Sequence, residues 1–186
     1  MKKFICYSIF SGICFSVTNF SFSNHYANKP TMTMTLQDSL PGDPSSLDFW
    51  KGKWKATWEE NGKKEAYGSN TVSLEMNGKV IQESFSIHAG KNKGFRGHSV
   101  SVFDTKVDRW KQTWVDTDGG YLDFTGYKKG DDFYFDRTYT GKKGKLIHQR
   151  MRFYDITGDR FTWDWEQSVD QGPWQLNWRI WYTRVM

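Results

Sequence analysis

Residues 71–87 read TVSLEMNGKVIQESFSI, and this stretch decides the fold. Apolar and polar side chains alternate on both sides of Asn77-Gly78, the dipeptide that most strongly favours a tight hairpin turn. The stretch therefore predicts two antiparallel strands, one over residues 71–76 and one over residues 80–87.

The same alternation recurs along the rest of the chain, between turns rich in Gly, Asn and Asp. The other strand-like runs cover residues 54–58, 97–104, 110–116, 121–127, 133–140, 146–155, 160–167 and 174–184. About ten strands with short turns and no long helical pattern predict an all-β meander. Closing the sheet removes its exposed edges, so we predict a single antiparallel up-and-down β-barrel. A short helical turn capped by Ser46 is expected before the first strand.

The N-terminal segment predicts export. Lys2 and Lys3 precede an uncharged apolar run, and Ser21-Phe22-Ser23 offers a small-x-small cleavage site. Residues 1–23 are therefore interpreted as a signal peptide, which predicts a periplasmic or extracellular protein. Residues 24–46 contain three of the four prolines and are interpreted as a flexible polar tether. Residues 47–186 form the predicted barrel domain.

Both cysteines, Cys6 and Cys14, lie in the predicted leader. Ile13 stands where a lipid-anchor motif requires a small residue, so lipid anchoring is not the favoured interpretation. A protein cleaved after Ser23 has no thiol, and therefore no disulfide and no thiolate metal site.

Composition limits the partners. Aromatic residues make up 18% of the chain, including 10 Trp, which indicates a compact aromatic core. The net charge of +5 is mild and its lysines fall in turns, so no nucleic-acid partner is predicted. No run of apolar residues is long enough to predict a transmembrane segment. The sequence gives no oligomeric state.

Several stretches carry a family resemblance. They are residues 47–54 (LDFWKGKW), 110–116 (WKQTWVD), 119–126 (GGYLDFTG), 149–151 (QRM) and 178–184 (WRIWYTR). Together they resemble a bacterial family of exported proteins of unknown function that is grouped with the lipocalin-like (calycin) β-barrels. The resemblance implies that Trp54, in the Gly-x-Trp pattern, packs at the closed end against a basic residue of the last strand, either Arg179 or Arg184. Fatty-acid-binding and nitrobindin-type barrels are more distantly similar.

Strand periodicity assigns one mainly apolar face of most strands to the barrel interior. These faces carry a few polar side chains, and a buried polar group needs a partner, so Glu83 and Arg137 are expected to pair within one internal network. Trp174 and Leu176 are also expected to point inward, whereas Asp164 is expected on the solvated face. The candidate ligand-binding residues are Glu83, Gln112, Trp114, Arg137, Gln149, Trp165, Trp178 and Tyr182.

No catalytic motif and no metal-ligand spacing occurs in the sequence. His148 falls on an outward face, so haem and other cofactors are not predicted. Three interpretations stay open: a barrel that binds a small apolar or amphipathic molecule, an enzyme that uses the same cavity with Glu83 or Asp116 as base, and a filled barrel with a structural or interaction role.

Overall fold

A computed structural model of the chain describes residues 42–186, without the side chains of residues 63–65. The predicted signal peptide and most of the predicted tether lie outside the described residues. The described part folds as one compact unit.

The described residues form a closed barrel of ten antiparallel strands, in which each strand pairs with its neighbours in sequence and β1 pairs with β10. The strands are β1 (Gly52–Glu60), β2 (Lys63–Glu75), β3 (Val80–Ala89), β4 (Arg96–Asp104), β5 (Arg109–Asp116), β6 (Tyr121–Lys129), β7 (Asp132–Thr140), β8 (Leu146–Tyr154), β9 (Arg160–Val169) and β10 (Gln175–Arg184). The prediction of an all-β up-and-down barrel of about ten strands is confirmed.

The hairpin predicted at Asn77-Gly78 joins β2 to β3, with Glu75 opposite Val80. Met76, Asn77 and Gly78 all have left-handed backbone angles, with φ of 49°, 56° and 79°. Asn and Gly adopt this conformation at little cost, which explains why the strand reverses here. The turn spans four residues between the paired ends of the two strands.

One end of the barrel, named end A, is closed by the segment before β1. A 3-10 turn covers Asp48–Trp50, and Leu47, which precedes it, is fully buried. The Phe49 ring packs edge-on against Phe153 and Phe161 of β8 and β9. The opposite end is named end B. The predicted cap role of Ser46 is wrong, because Leu47 occupies the cap position without a side-chain bond, and Ser46 Oγ donates to the Asp43 carbonyl instead.

Arg184 supplies the basic contact at end A. Its guanidinium carbon lies 4.1 Å from the centre of the Trp54 ring, and it donates hydrogen bonds to the carbonyl oxygens of Phe49, Lys51 and Gly158. Arg184 therefore joins the segment before β1 to the last strand. Arg179, the other candidate, faces outward.

Two strand assignments need correction. β2 begins at Lys63, eight residues before the predicted start, because Ala66 and Gly68 take inward positions that a search for large apolar residues overlooks. In β10 a β-bulge between Leu176 and Trp178 shifts the register. The bulge places Trp174 and Leu176 outside, where Leu176 is 49% exposed, so their predicted inward position is wrong.

Among the described residues, no helix has the length and apolar character needed to cross a membrane.

Candidate functional site

A belt of polar side chains crosses the interior on one side of the barrel. It consists of Asn70, Glu83, Ser99, Ser101 and Gln112, all nearly inaccessible to solvent, on β2 to β5. These residues take inward positions because each lies in phase with the other inward positions of its own strand. The belt therefore interrupts a mainly apolar core.

Glu83 is the charged centre of this polar belt, and its side chain is almost fully buried. Oε1 accepts a hydrogen bond from Asn70 Nδ2 and Oε2 accepts one from Ser99 Oγ, each at 2.7 Å. Burial raises the pKa of the Glu83 carboxyl from 4.5 to about 7, although the two donated hydrogen bonds act in the opposite direction. Burial, aided by the nearby Glu83 charge, also raises the pKa of the Tyr182 hydroxyl well above its usual value.

The predicted pairing of Glu83 with Arg137 is wrong. The two side chains have different partners, since small polar residues on the strands next to β3 satisfy Glu83. Arg137 of β7 contacts Gln149 Oε1 at 3.5 Å through Nη1 and Asp123 Oδ1 at 3.9 Å through Nη2. The interior therefore holds two separate polar groups.

The second polar group surrounds Gln149 of β8, which is fully buried. Its Nε2 donates to Gln167 Oε1 at 3.0 Å, and its Oε1 faces the Arg137 guanidinium. The chain Arg137–Gln149–Gln167 therefore crosses three strands, β7 to β9. It lies towards end B of the barrel, whereas Phe153 and Phe161 fill end A.

Hydrogen-bonding capacity remains unused in both groups. Asn70 Oδ1, Gln112 Oε1 and Arg137 Nε are buried and have no hydrogen-bond partner among the described residues. Gln112 uses its other amide atom, Nε2, to donate to Ser101 Oγ at 3.0 Å. Two acceptors and one donor of the inner wall therefore lack a hydrogen bond within the described part of the chain.

Tryptophan side chains surround the interior towards end B. Trp178 meets Trp58 and Trp163 edge to face, with ring centres 5.2 Å and 5.8 Å apart, and Trp163 stacks parallel to Trp165 at 6.5 Å. Trp114 lies across Gly97, so a Cβ added at that glycine would come within 1.9 Å of the indole. The rings build an amphipathic wall of large apolar area.

Asp116, the other carboxylate considered as a base, has a structural role at the β5–β6 turn. It accepts hydrogen bonds from Trp114 Nε1 and from the backbone N–H groups of Asp118 and Gly120, at 2.9–3.0 Å.

The prediction that Asp164 is solvated is wrong. It lies on the outer face but is only 2% exposed, because Arg179 covers it with hydrogen bonds of 2.6 and 2.7 Å. His148 also lies on the outer face, where its Nδ1 meets Thr138 Oγ1 at 3.0 Å. No cluster of three or more His, Cys, Asp or Glu able to hold a metal occurs in residues 42–186.

The structure brings the candidate residues together only in part. Gln112 and Trp114 lie near Glu83, whereas Arg137, Gln149 and Trp165 lie on the opposite wall. Sequence reasoning missed Asn70 and Ser99. Strand periodicity places both side chains inward, but they are small and uncharged, so the sequence gives no signal that singles them out.

The fold therefore defines the class: an all-β protein built as a closed ten-stranded antiparallel barrel. Neither the family models nor the curated proteins with which the chain was compared give a match.

Proposed function

We propose that the protein is a binding protein that holds a small amphipathic molecule in the half of the barrel near end B. The observation that carries this proposal is the unused hydrogen-bonding capacity of Asn70, Gln112 and Arg137 in the inner wall. A buried polar atom without a partner costs about 1–3 kcal/mol. A filled structural core would place apolar groups at these positions.

The tryptophans near end B support the same proposal. Small-molecule sites combine a mainly apolar and aromatic lining with a few polar groups that orient the ligand. Trp165 and Trp178 supply such a lining beside the Arg137–Gln149–Gln167 chain. The polar belt around Glu83 supplies hydrogen-bond acceptors on the other side.

The resemblance to lipocalin-like barrels agrees with this function, and we propose that the chain is related to them. The contact of Arg184 with Trp54 at the closed end supports the relationship, as does the up-and-down order of the strands. We also propose export, on the basis of the leader sequence. The compartment and the N-terminal sequence of the mature protein test it, and a chain that stays in the cytoplasm and keeps residues 1–23 would contradict it.

Native mass spectrometry tests the binding function. The protein is purified from its own compartment, its intact mass is compared with that of the denatured chain, and any released molecule is identified. We expect a stoichiometric small molecule, retained less well by Arg137→Met and by Gln112→Leu. Outer-face variant Val102→Thr is the matched control and should retain it fully. A bare protein that also binds no member of a broad amphiphile panel would refute the proposal.

An enzymatic function in the same interior is the second candidate, and the raised pKa of Glu83 favours it. A carboxyl with a pKa of about 7 exchanges protons readily near neutral pH. If Glu83 is a general base, Glu83→Gln keeps the bound molecule and abolishes its conversion. If Glu83 has only a structural role, mass spectrometry should show that neither the parent protein nor the variant converts the bound molecule over time.

A further inference from the structure

The two ends of the barrel differ in the charge of their turns. At end B the strands are joined by residues 61–62, 90–95, 117–120, 141–145 and 170–174. These turns hold five lysines and two aspartates. At end A the strands are joined by residues 76–79, 105–108, 130–131 and 155–159. Those turns hold two lysines and four aspartates, so end B carries the basic set of turns.

The loop between β3 and β4 presents Lys91 and Lys93 to solvent at end B. The backbone N–H of Lys91 donates to Glu60 Oε2 at 2.8 Å, and that of Lys93 donates to the Gly90 carbonyl at 3.2 Å. These bonds fix the loop backbone. Neither lysine side chain makes an ion pair within the described residues, so both charges face the solvent.

The turn between β7 and β8 presents three more exposed lysines, Lys142, Lys143 and Lys145. It is closed by a hydrogen bond of 2.8 Å from the Gly141 N–H to the Lys145 carbonyl. Lys143 has a left-handed φ of 62°, a conformation that costs energy in a residue with a side chain. In the described part of the chain these lysines also have no ion pair.

Exposed aromatic side chains lie just behind the lysines at end B. Tyr121 begins β6 and is 67% exposed, and Trp174 directly precedes β10. Tyr67 lies opposite Ala89, the last residue of β3, and Tyr139 lies near the end of β7. These four are the exposed aromatic residues of the described chain. The exposed apolar residues near end A are aliphatic: Leu74, Met76 and Val107.

Trp174 is held in a fixed orientation on the outer surface. The Arg150 guanidinium lies 3.9 Å from the centre of its ring, and Arg150 Nε donates to Glu166 Oε2 at 2.6 Å. The guanidinium therefore covers one face of the indole, while the side chain keeps 40% of its area exposed. An aromatic side chain fixed in this way loses little conformational entropy when a partner covers the rest of it.

Aromatic residues and lysines alternate around the rim of end B. In the order of the closed sheet, Tyr67 on β2 is followed by the lysine loop between β3 and β4, and then by Tyr121 on β6. The lysine turn between β7 and β8 comes next, and then Trp174 beside β10. Because these groups encircle the barrel, only a broad and flat partner can contact all of them. A lipid bilayer is such a partner, and Tyr, Trp and Lys are the side chains that favour its polar–apolar boundary.

We propose that end B docks on the surface of a bilayer that contains anionic phospholipids. The lysines contact the lipid phosphates, and the exposed tyrosines and Trp174 lie among the headgroups. The docking goes beyond the proposed binding function and does not depend on it, because it uses only the outer rim.

Sedimentation of the protein with lipid vesicles tests the docking. Vesicles of phosphatidylcholine are compared with vesicles that contain about 30% phosphatidylglycerol, at low salt. We expect binding to the anionic vesicles to be at least about tenfold tighter. The preference should shrink as salt is added, because salt screens the attraction between exposed charges.

A triple variant of the β7–β8 turn tests whether its lysines carry the binding. Lys142→Gln, Lys143→Gln and Lys145→Gln together should weaken binding to the anionic vesicles by about thirtyfold or more. Each lysine near such a surface contributes about fivefold in affinity, and the three contributions multiply.

The matched control neutralises three exposed lysines at end A. Lys79→Gln, Lys106→Gln and Lys129→Gln together change the net charge by the same amount as the first triple variant. We expect this control to weaken vesicle binding by no more than about threefold, since it alters only the distant field of the protein.

An aromatic variant tests the other half of the rim. Tyr121→Ser should weaken binding by about threefold to fivefold and leave its salt dependence unchanged, because it removes apolar area and no charge. Met76→Ser removes a side chain that is 76% exposed at end A and should leave binding unchanged. Near-ultraviolet circular dichroism confirms that each variant is folded.

Three results would overturn the docking: no binding to the anionic vesicles, equal binding to both kinds of vesicle, or equal losses in the two triple variants. Binding to a soluble polyanion such as heparin, without binding to the anionic vesicles, would also overturn it and would indicate a polymeric partner for the lysines instead.

Discussion

Replacing Glu83 with Gln should change how the stability of the barrel depends on pH. Glu83 has a pKa of about 7 in the folded protein, against an ordinary value of 4.5. The folded state therefore holds the proton more tightly than the unfolded state. Below pH 4.5 both states are protonated and burial of the neutral carboxyl costs little. Stability falls as the pH rises from 4.5 to 7 and the loss is complete above that range.

The size of the loss follows from the two pKa values. A difference between 4.5 and about 7 corresponds to about 3 kcal/mol of unfolding free energy. The Gln side chain can accept from Asn70 and donate to Ser99 Oγ, so the variant keeps both contacts without a charge. We expect Glu83→Gln to gain about 3 kcal/mol relative to the parent protein between pH 4.5 and pH 8.

Urea unfolding followed by tryptophan fluorescence, at several pH values from 4.5 to 8, measures this difference. Ser99→Ala is the matched variant, because it removes a donor that favours the charged form and should deepen the loss at pH 8 more than at pH 4.5. Parallel pH profiles for the parent protein and Glu83→Gln would refute the reasoning, since they would show that Glu83 titrates alike in both states.

Three further changes test the packing, each by the urea midpoint. Arg184→Met removes three hydrogen bonds to carbonyl oxygens at end A and should cost about 2 kcal/mol, which Arg184→Lys restores only in part. Gly97→Ala places a Cβ 1.9 Å from the Trp114 ring and should lower the unfolding free energy by about 1–3 kcal/mol. Combining it with Trp114→Leu should recover part of that loss, and full stability of the single variant would contradict the packing. Asp164→Asn weakens the contact of a buried carboxylate with Arg179 and should lower the unfolding free energy by about 1–2 kcal/mol. The control Asp123→Asn changes an exposed carboxylate and should alter it by no more than about 0.5 kcal/mol. Equal effects of the two variants would argue against burial of Asp164.

The strand count and the barrel class could be predicted because alternation and turn residues are local signals. The hairpin at Asn77-Gly78 needs only its own residues and the strands that flank it. The inward position of Glu83 follows equally from the period of two along β3. These features depend on short stretches of chain, so the sequence alone is enough.

The partners of the polar residues could not be predicted in this way. Whether Glu83 meets Asn70 or Arg137 depends on which strands are neighbours and on their register, which periodicity does not fix. The bulge before Trp178 reverses which side chains of the preceding part of β10 face inward, and no residue type there predicts it. The end of the β6–β7 ladder at Thr125 and Asp136 likewise depends on how the two strands pair.

The seam between β1 and β10 has a consequence for how the chain reaches its fold. It comprises four register pairs, and even the pair closest in sequence, Thr57 and Trp181, is 124 residues apart along the chain. Loop closure over such a distance is slow, and until β10 docks the growing sheet keeps two unpaired edges. During synthesis the cylinder therefore stays open until its last strand has been made. If the chain is exported as we propose, this late closure keeps it unfolded enough to pass through a membrane channel until its last strand docks.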